Sequence, residues 1–291
     1  SSMRSDSSSG STDMLRILSL GAGVQSSAVL LMACRGYWPE NLDACIFADT
    51  QWEPAEVYQW LDEVLEPEAE KAGIPIYRVT AGDIRADALV SQVRGTKEKG
   101  SRWASMPYYT KDRETNKPGM IRRQCTTEYK IEPVTRELRR LLGLKKGERA
   151  KPGIQVEQWF GISSDEVQRM RDSRFHYIRN HYPLISHDPP LDRMSCKHWM
   201  KKNGFPEAPR SACVACPYRS DQEWRRLKNG NREEWKQAVE FDEAVRVCGG
   251  MKGDIFVHPS RQPLSSVDLS TDYDRGQISL FGEDCAGMCG V

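Results

Sequence analysis

Leu18-Ser-Leu-Gly-Ala-Gly-Val-Gln-Ser-Ser-Ala-Val29 is the stretch that decides the fold. The apolar run Leu15 to Leu20 ends in a small-residue loop, two serines follow, and Ala28 to Ala33 is apolar again. A strand that feeds a glycine loop and then a helix N-terminus is a cradle for anions. Its backbone N–H groups point at the ligand and the helix dipole favours negative charge. Gly21 and Gly23 let the backbone turn tightly and approach a phosphate with no side chain between them. Ser26 and Ser27 bring hydroxyls to the place where a helix has its first unpaired N–H groups. An ordinary strand-to-helix turn reads the same way. No Lys-Ser/Thr follows the glycines, which excludes a Walker loop, and GxGxxS lacks the third glycine of the dinucleotide fingerprint.

Working outward, Ala44 to Ala48 and Ile74 to Val79 are two more short apolar runs. Segments with helical spacing, Ser27 to Arg35 and Glu56 to Ala72, separate the runs. This β-α-β-α-β succession predicts a parallel sheet with crossover helices, an α/β fold. Phe47-Ala-Asp-Thr50 closes the second strand. Asp49 and Thr50 then face the crevice at the strands' carboxyl ends, or simply cap the strand. Residues 91–120 are rich in Gly, Lys, Arg and Tyr and read as a long loop or lid. Glu132 to Leu142 is expected as a helix with Pro133 near its start, and Gln158 to Ile162 as a strand. From Ser186 on, Pro, Cys, His and Trp rise and periodicity fades. The expected division is a disordered tail at 1–13, a nucleotide-binding domain at 14–185, and a cysteine-rich, mostly helical module with a mobile tail at 186–291.

The chain has 291 residues, 29% of them charged, with a formal net charge of +1. Its mean hydropathy of −0.64 predicts a soluble protein, and no apolar run approaches the ~20 residues of a membrane span. Ser1 to Asp13 is polar and Ser/Gly-rich, without the apolar core of a signal peptide. The basic clusters at Arg136 to Arg149 and Arg219 to Arg232 interleave with Glu, so they read as solvated helix faces before they read as a nucleic-acid patch. Nine cysteines, an odd number with no export signal, argue against a disulfide framework and for the cytoplasm. Cys34 and Cys45 sit in apolar segments and read as core thiols.

Three further stretches carry chemistry. Arg122-Arg-Gln-Cys125-Thr-Thr-Glu-Tyr-Lys130 sets two guanidiniums, a thiol and an ammonium just before a helix. That suits an anionic ligand, favours thiolate at Cys125, or is a basic helix start. Gly161-Ile-Ser-Ser-Asp-Glu166-Val-Gln-Arg169-Met-Arg171 follows its strand at once. Glu166, Arg169 and Arg171 are polar groups able to reach a ligand, while Ser163 to Glu166 is also a capping box. Cys213-Val-Ala-Cys216-Pro is a compact chelate that needs two more ligands, for which Cys125 and Cys196 are the candidates. Thiolates select an iron–sulfur cluster or zinc, and a redox dithiol or plain core thiols is the other reading. His198 and Cys248 are spare donors. The last segment, Phe281-Gly-Glu-Asp-Cys285-Ala-Gly-Met-Cys289-Gly-Val291, sets two thiols among glycines: an accessible pair, extra metal ligands, or a plain tail.

In order along the chain, these segments resemble the PP-loop (adenine nucleotide alpha-hydrolase-like) superfamily, and within it the phosphoadenosine phosphosulfate (PAPS) reductase-like family. Gly21-Ala-Gly-Val-Gln-Ser26 is similar to the family's Ser-Gly-Gly-x-Asp-Ser, with Gly23 and Ser26 matching and Gln25 in place of Asp. Cys125-x4-Lys130-x2-Pro133 is similar to its Cys-x4-Lys-x2-Pro. The Gly161 segment is similar to its Gly-x-Arg-x-x-Glu-(Ser)-x-x-Arg, with Ser163 in place of Arg. The resemblance implies a three-layer, HUP-like parallel-sheet domain. Its nucleotide site takes in Ser19, Gly21, Ala22, Gly23, Val24, Gln25, Ser26, Ser27, Asp49, Thr50, Arg122, Arg123, Lys130, Gly161, Glu166 and Arg169.

The same resemblance implies an ATP-using sulfur transferase whose [4Fe–4S] cluster, with zinc as the alternative, sits on Cys125, Cys196, Cys213 and Cys216. ATP, with Mg²⁺ as an accompanying ion, adenylates an oxygen of a nucleic-acid or nucleotide-like acceptor or of a small metabolite. Sulfur carried by the cluster or by Cys285 and Cys289 then displaces AMP. A cysteine desulfurase or a thioredoxin-like reductant supplies the sulfur or electrons. One alternative is a PAPS or adenylyl sulfate (APS) reductase with a tail cysteine as nucleophile. The other is a nucleotide-binding component of a modification or defence complex, without turnover.

Overall fold

A computed structural model describes residues 14–90, 106–247 and 253–270. Its strands, in chain order, are β1 (Leu15–Leu20), β2 (Ala44–Asp49), β3 (Ile76–Thr80), β4 (Tyr109–Asp112), β5 (Pro118–Met120), β6 (Val156–Phe160), β7 (Ile178–His181) and β8 (Gly253–Phe256). The helices are α1 (Val24–Cys34), α2 (Ala55–Trp60), α3 (Glu66–Lys71), α4 (Ile84–Val90), α5 (Glu132–Leu141), α6 (Pro183–Ser186), α7 (Arg193–Lys202), α8 (Asp221–Gly230) and α9 (Arg232–Val245).

The parallel sheet expected from the apolar runs is present, in the order β3-β2-β1-β6-β7. Central parallel strands are covered on both faces, so they are apolar throughout rather than alternating. Leu18, Leu20, Cys45, Phe47 and Trp159 turn to one face, under α1 and α7. Ile17, Ala44, Ile46, Ala48 and Val156 turn to the other, where Val134 and Leu138 of α5 cover them. The result is α/β layering around a five-stranded parallel sheet, compatible with a Rossmann- or HUP-like fold. α1 shows why its sequence has no polar face: Val24 through Met32 are all buried. Burying one such Val or Leu stabilises by about 1.5–3 kcal/mol.

The chain runs from β1 outward to β3 on one side and returns to β6 on the other side of β1. Ser19 thus pairs with Ile46 of β2 and with Phe160 of β6. At such a switch point the loops after the two central strands diverge and leave a crevice. The loop after β1 is the glycine loop, and the residue after β6 is Gly161.

One expected helix is interrupted, and another, present as α5, is preceded by a π turn. The segment 56–72 is α2, a π turn at Leu61–Leu65 and α3. A second π turn, Thr127–Ile131, leads into α5. Pro67 and Pro133 follow these turns, and each lacks the N–H that would continue the regular ladder. The second π turn presents Lys130.

Within the segment read as a loop, the described part contains the hairpin β4–β5. It pairs with β8 in an antiparallel sheet of order β5-β4-β8, with Tyr109 opposite Phe256. The partner lies far along the chain, so local periodicity does not reveal it. Nor do the cores divide at residue 185. Cys196, Met200 and Ala208 belong to the core of α1, while Trp52, Ile84 and Met106 share a core with residues of α8 and α9. No helix among the described residues is long and apolar enough to cross a membrane.

Candidate functional site

The crevice at the β1/β6 switch point opens into a cleft of about 810 Å³, within the ordinary size of a small-molecule site. Its inner wall is backbone. Gly23 caps α1 with no side-chain hydrogen bond, and no acidic residue occupies the helix's first turn. The N–H of Ser27 reaches the Gly23 carbonyl at 3.0 Å and begins the helical ladder. The N–H groups before it have no partner within the helix, and Gly23, Val24, Gln25 and Ser26 line the cleft. The loop is held in shape by Ser26, whose hydroxyl accepts from the Gly21 N–H at 3.2 Å. Ala22, buried, takes a left-handed φ of +55°.

Gly161 closes this wall from β6. A Cβ on it would lie 2.5 Å from the backbone nitrogen of Ser26 and 2.9 Å from the carbonyl carbon of Gln25. Only glycine lets strand and helix meet here. Beside it the Gln25 carboxamide donates to the Ser163 hydroxyl at 3.3 Å. Gln25 and Ser163 are two of the positions where the chain departs from the motifs it resembles. Here they form one neutral hydrogen bond.

The outer wall is made of side chains that sequence reasoning missed. Arg193 and Lys197 come from α7, Arg210 and Ser211 from the following loop, and Arg225 and Arg226 from α8. With Lys130, Arg169 and Arg219 the lining is richer in cations than in carboxylates. Some of these cations have local duties. Arg219 donates to the carbonyls of Ala212, Cys213 and Val214, and Arg225 to that of Leu269. The available signal was a basic run after residue 190, but its direction depends on how α7 and α8 pack.

Of the expected nucleotide residues, Ser19, Gly21, Gly23, Val24, Gln25, Ser26, Lys130, Gly161, Glu166 and Arg169 line the cleft. The other six do not. Ala22 is buried behind the loop. Ser27 turns into the core, where its hydroxyl accepts from the Trp60 indole at 2.9 Å. Asp49 accepts from the Tyr58 hydroxyl at 2.8 Å and the Gln51 N–H at 2.7 Å. Thr50 is buried between Glu53 and Cys213, at 3.3 and 3.4 Å. Arg122 and Arg123 lie away from it, with the Arg123 guanidinium 5.5 Å from the Tyr218 ring centre. Burial lifts the Glu166 carboxyl above its ordinary value against the pull of Arg169, 2.6 Å away.

The thiols divide. Cys125, Cys213 and Cys216 share one core, and Cys196 packs in the other. Burial, with Glu53 adding to it, pushes the Cys213 thiol up to about 12. Burial pushes Cys196 up to about 12 as well, with Asp165 and Asp192 contributing. At Cys125 burial outweighs the nearby Arg123 and Lys130, so the thiol is held protonated; the expected bias toward thiolate is corrected. Among the described residues no group of three or more His, Cys, Asp or Glu is placed to hold a metal ion. The four-thiolate set expected for [4Fe–4S] or zinc does not fit this arrangement. Cys248, Cys285 and Cys289 lie outside the described residues.

No family model and no curated protein matches the chain.

Proposed function

We propose that this chain binds an adenine nucleotide in the cleft and is a PP-loop enzyme resembling PAPS reductases. One observation carries the reading: the first turn of α1, set against β6 through Gly161, lines a cleft whose other side is rich in Arg and Lys. Helix N–H groups and the helix dipole favour a phosphate on one side. Guanidiniums favour phosphate or sulfate oxygens on the other. A multiply charged nucleotide meets both walls at once.

The chain's own residues bind and orient in this reading. The glycine loop holds phosphate oxygens on backbone N–H groups, and Ser26 keeps the loop closed. The outer arginines neutralise the remaining charge and hold an anionic acceptor or leaving group. Sulfur transfer to a nucleic-acid or nucleotide-like acceptor through an adenylated intermediate is the chemistry the resemblance suggests. Reduction of PAPS or APS is the second reading. Gln25 favours it, because its carboxamide replaces the family's loop carboxylate and is bonded to Ser163. A nucleotide-binding component without turnover is what remains if neither reaction occurs.

Calorimetric titration with ATP and with PAPS tests binding. Incubation with each then separates the reactions: pyrophosphate release marks adenylation, and sulfite release marks reduction. Saturable binding of neither nucleotide overturns the proposal.

A further inference from the structure

Glu53 stands behind the cleft, its side chain wholly buried. One carboxylate oxygen lies 3.3 Å from the Thr50 hydroxyl and 3.6 Å from the Lys130 ammonium. The other accepts from the Ser211 hydroxyl at 3.5 Å. Lys130 and Ser211 both line the cleft. Ser211 also borders the glycine loop, its Cβ 3.7 Å from where a Cβ on Gly23 would sit. Ser211 thus stands between the glycine loop and Glu53, and Lys130 between Glu53 and the cleft. Burying a carboxylate is costly, and an apolar side chain would fill the same space without that cost.

We propose that Glu53 is a positioning residue, fixing the Lys130 ammonium toward the phosphates of a nucleotide held by the glycine loop. The inference rests on the nucleotide reading above. It makes a prediction of sign. A negative charge a few ångströms from an anion site repels the ligand, so if charge alone mattered, its removal would tighten binding. Loss of positioning weakens it.

The test measures ATP and PAPS dissociation constants by calorimetry, with melting temperatures, for the wild type, Glu53→Gln, Glu53→Asp, Lys130→Met and the Glu53→Gln/Lys130→Met pair. Glu53→Gln is expected to weaken binding about tenfold, or 1.4 kcal/mol. Lys130→Met does about the same, and the double variant binds no more weakly than Lys130→Met alone, because one residue acts through the other. If Glu53→Gln does not fold, Glu53→Asp decides. It keeps the charge, shortens the reach and is expected to lose affinity severalfold. Unchanged or tighter binding in the folded variant, or losses that multiply in the pair, overturns the inference while the nucleotide reading stands. A wild type that binds neither nucleotide removes both.

Discussion

The two walls of the cleft are built by different means. The inner wall, from Gly21 to Ser26 and Gly161, is backbone fixed by the parallel sheet and by a contact that leaves no room for a Cβ. The outer wall is flexible side chains on α7, the following loop and α8. Substitution at the packed glycine of the first therefore acts on folding as well as on binding. Substitution in the second acts on binding, through charge that salt can screen.

The largest expected effect tests what the two cores behind these walls share, which is buried thiol. Cys34 is pushed up to about 11 and Cys196 and Cys213 to about 12, from an ordinary value of 9.0, and Cys45 is raised well above it, all chiefly by burial. Each folded value lies above the unfolded one, so the folded state binds more protons between them. The stabilisation is complete below the ordinary value and is lost as pH rises toward the folded values. Denaturation midpoints measured from about pH 8 to about pH 11 should fall steadily, and Cys213→Ala should flatten the slope. A flat wild-type profile would show that these thiols are not buried in either core.

Next come the two glycines of the inner wall. Gly161→Ala drives a Cβ into the Ser26 backbone and should cost about 3 kcal/mol of stability by urea denaturation, as overpacking does. Gly23→Val meets only ordinary contact with Ser211. It should keep the midpoint nearly unchanged yet weaken nucleotide binding at least tenfold, about 1.4 kcal/mol. Equal loss of stability in both would erase the distinction between a packing glycine and a ligand-facing one. The smallest effect belongs to the outer wall. Arg226→Ala should leave the midpoint alone and weaken ATP and PAPS binding severalfold at low salt, by roughly 1 kcal/mol or less at an exposed site. That loss should shrink as salt is raised; a salt-independent loss would mean that Arg226 does not act by charge.

The inner wall was legible because its cause is local. A six-residue strand with four apolar residues, two glycines and an apolar helix suffice to set strand, loop and N-terminus in order, and β1 spans the expected Leu15–Leu20. The second sheet was not legible, since β4 and β8 satisfy each other across most of the chain. Arg226 reads as solvated charge until α8 packs on α9, and the place of Arg193 depends on how α7 packs on α1. Glu53 had a faint signal, a carboxylate just beyond a strand's carboxyl end. Thr50 and Asp49 drew attention there instead, and both turn out to be held by their neighbours. Cys196 packs in the core of α1 while Cys125, Cys213 and Cys216 share the other, a division that sequence spacing does not reveal.

The antiparallel sheet has a consequence for the order in which the molecule is made. A chain growing from its N-terminus can pair β1, β2 and β3 early and complete the glycine crevice once Gly161 has emerged. The strand β4, already synthesised, must wait for Gly253–Phe256 before its second edge is covered. An uncovered strand edge pairs with whatever strand it meets, and closure across so long a separation is slow. Newly made protein therefore passes through an interval in which the glycine crevice has its backbone and the far sheet lies open. A chain truncated before residue 253 would remain in that interval, and its characteristic failure would be association with other chains through β4.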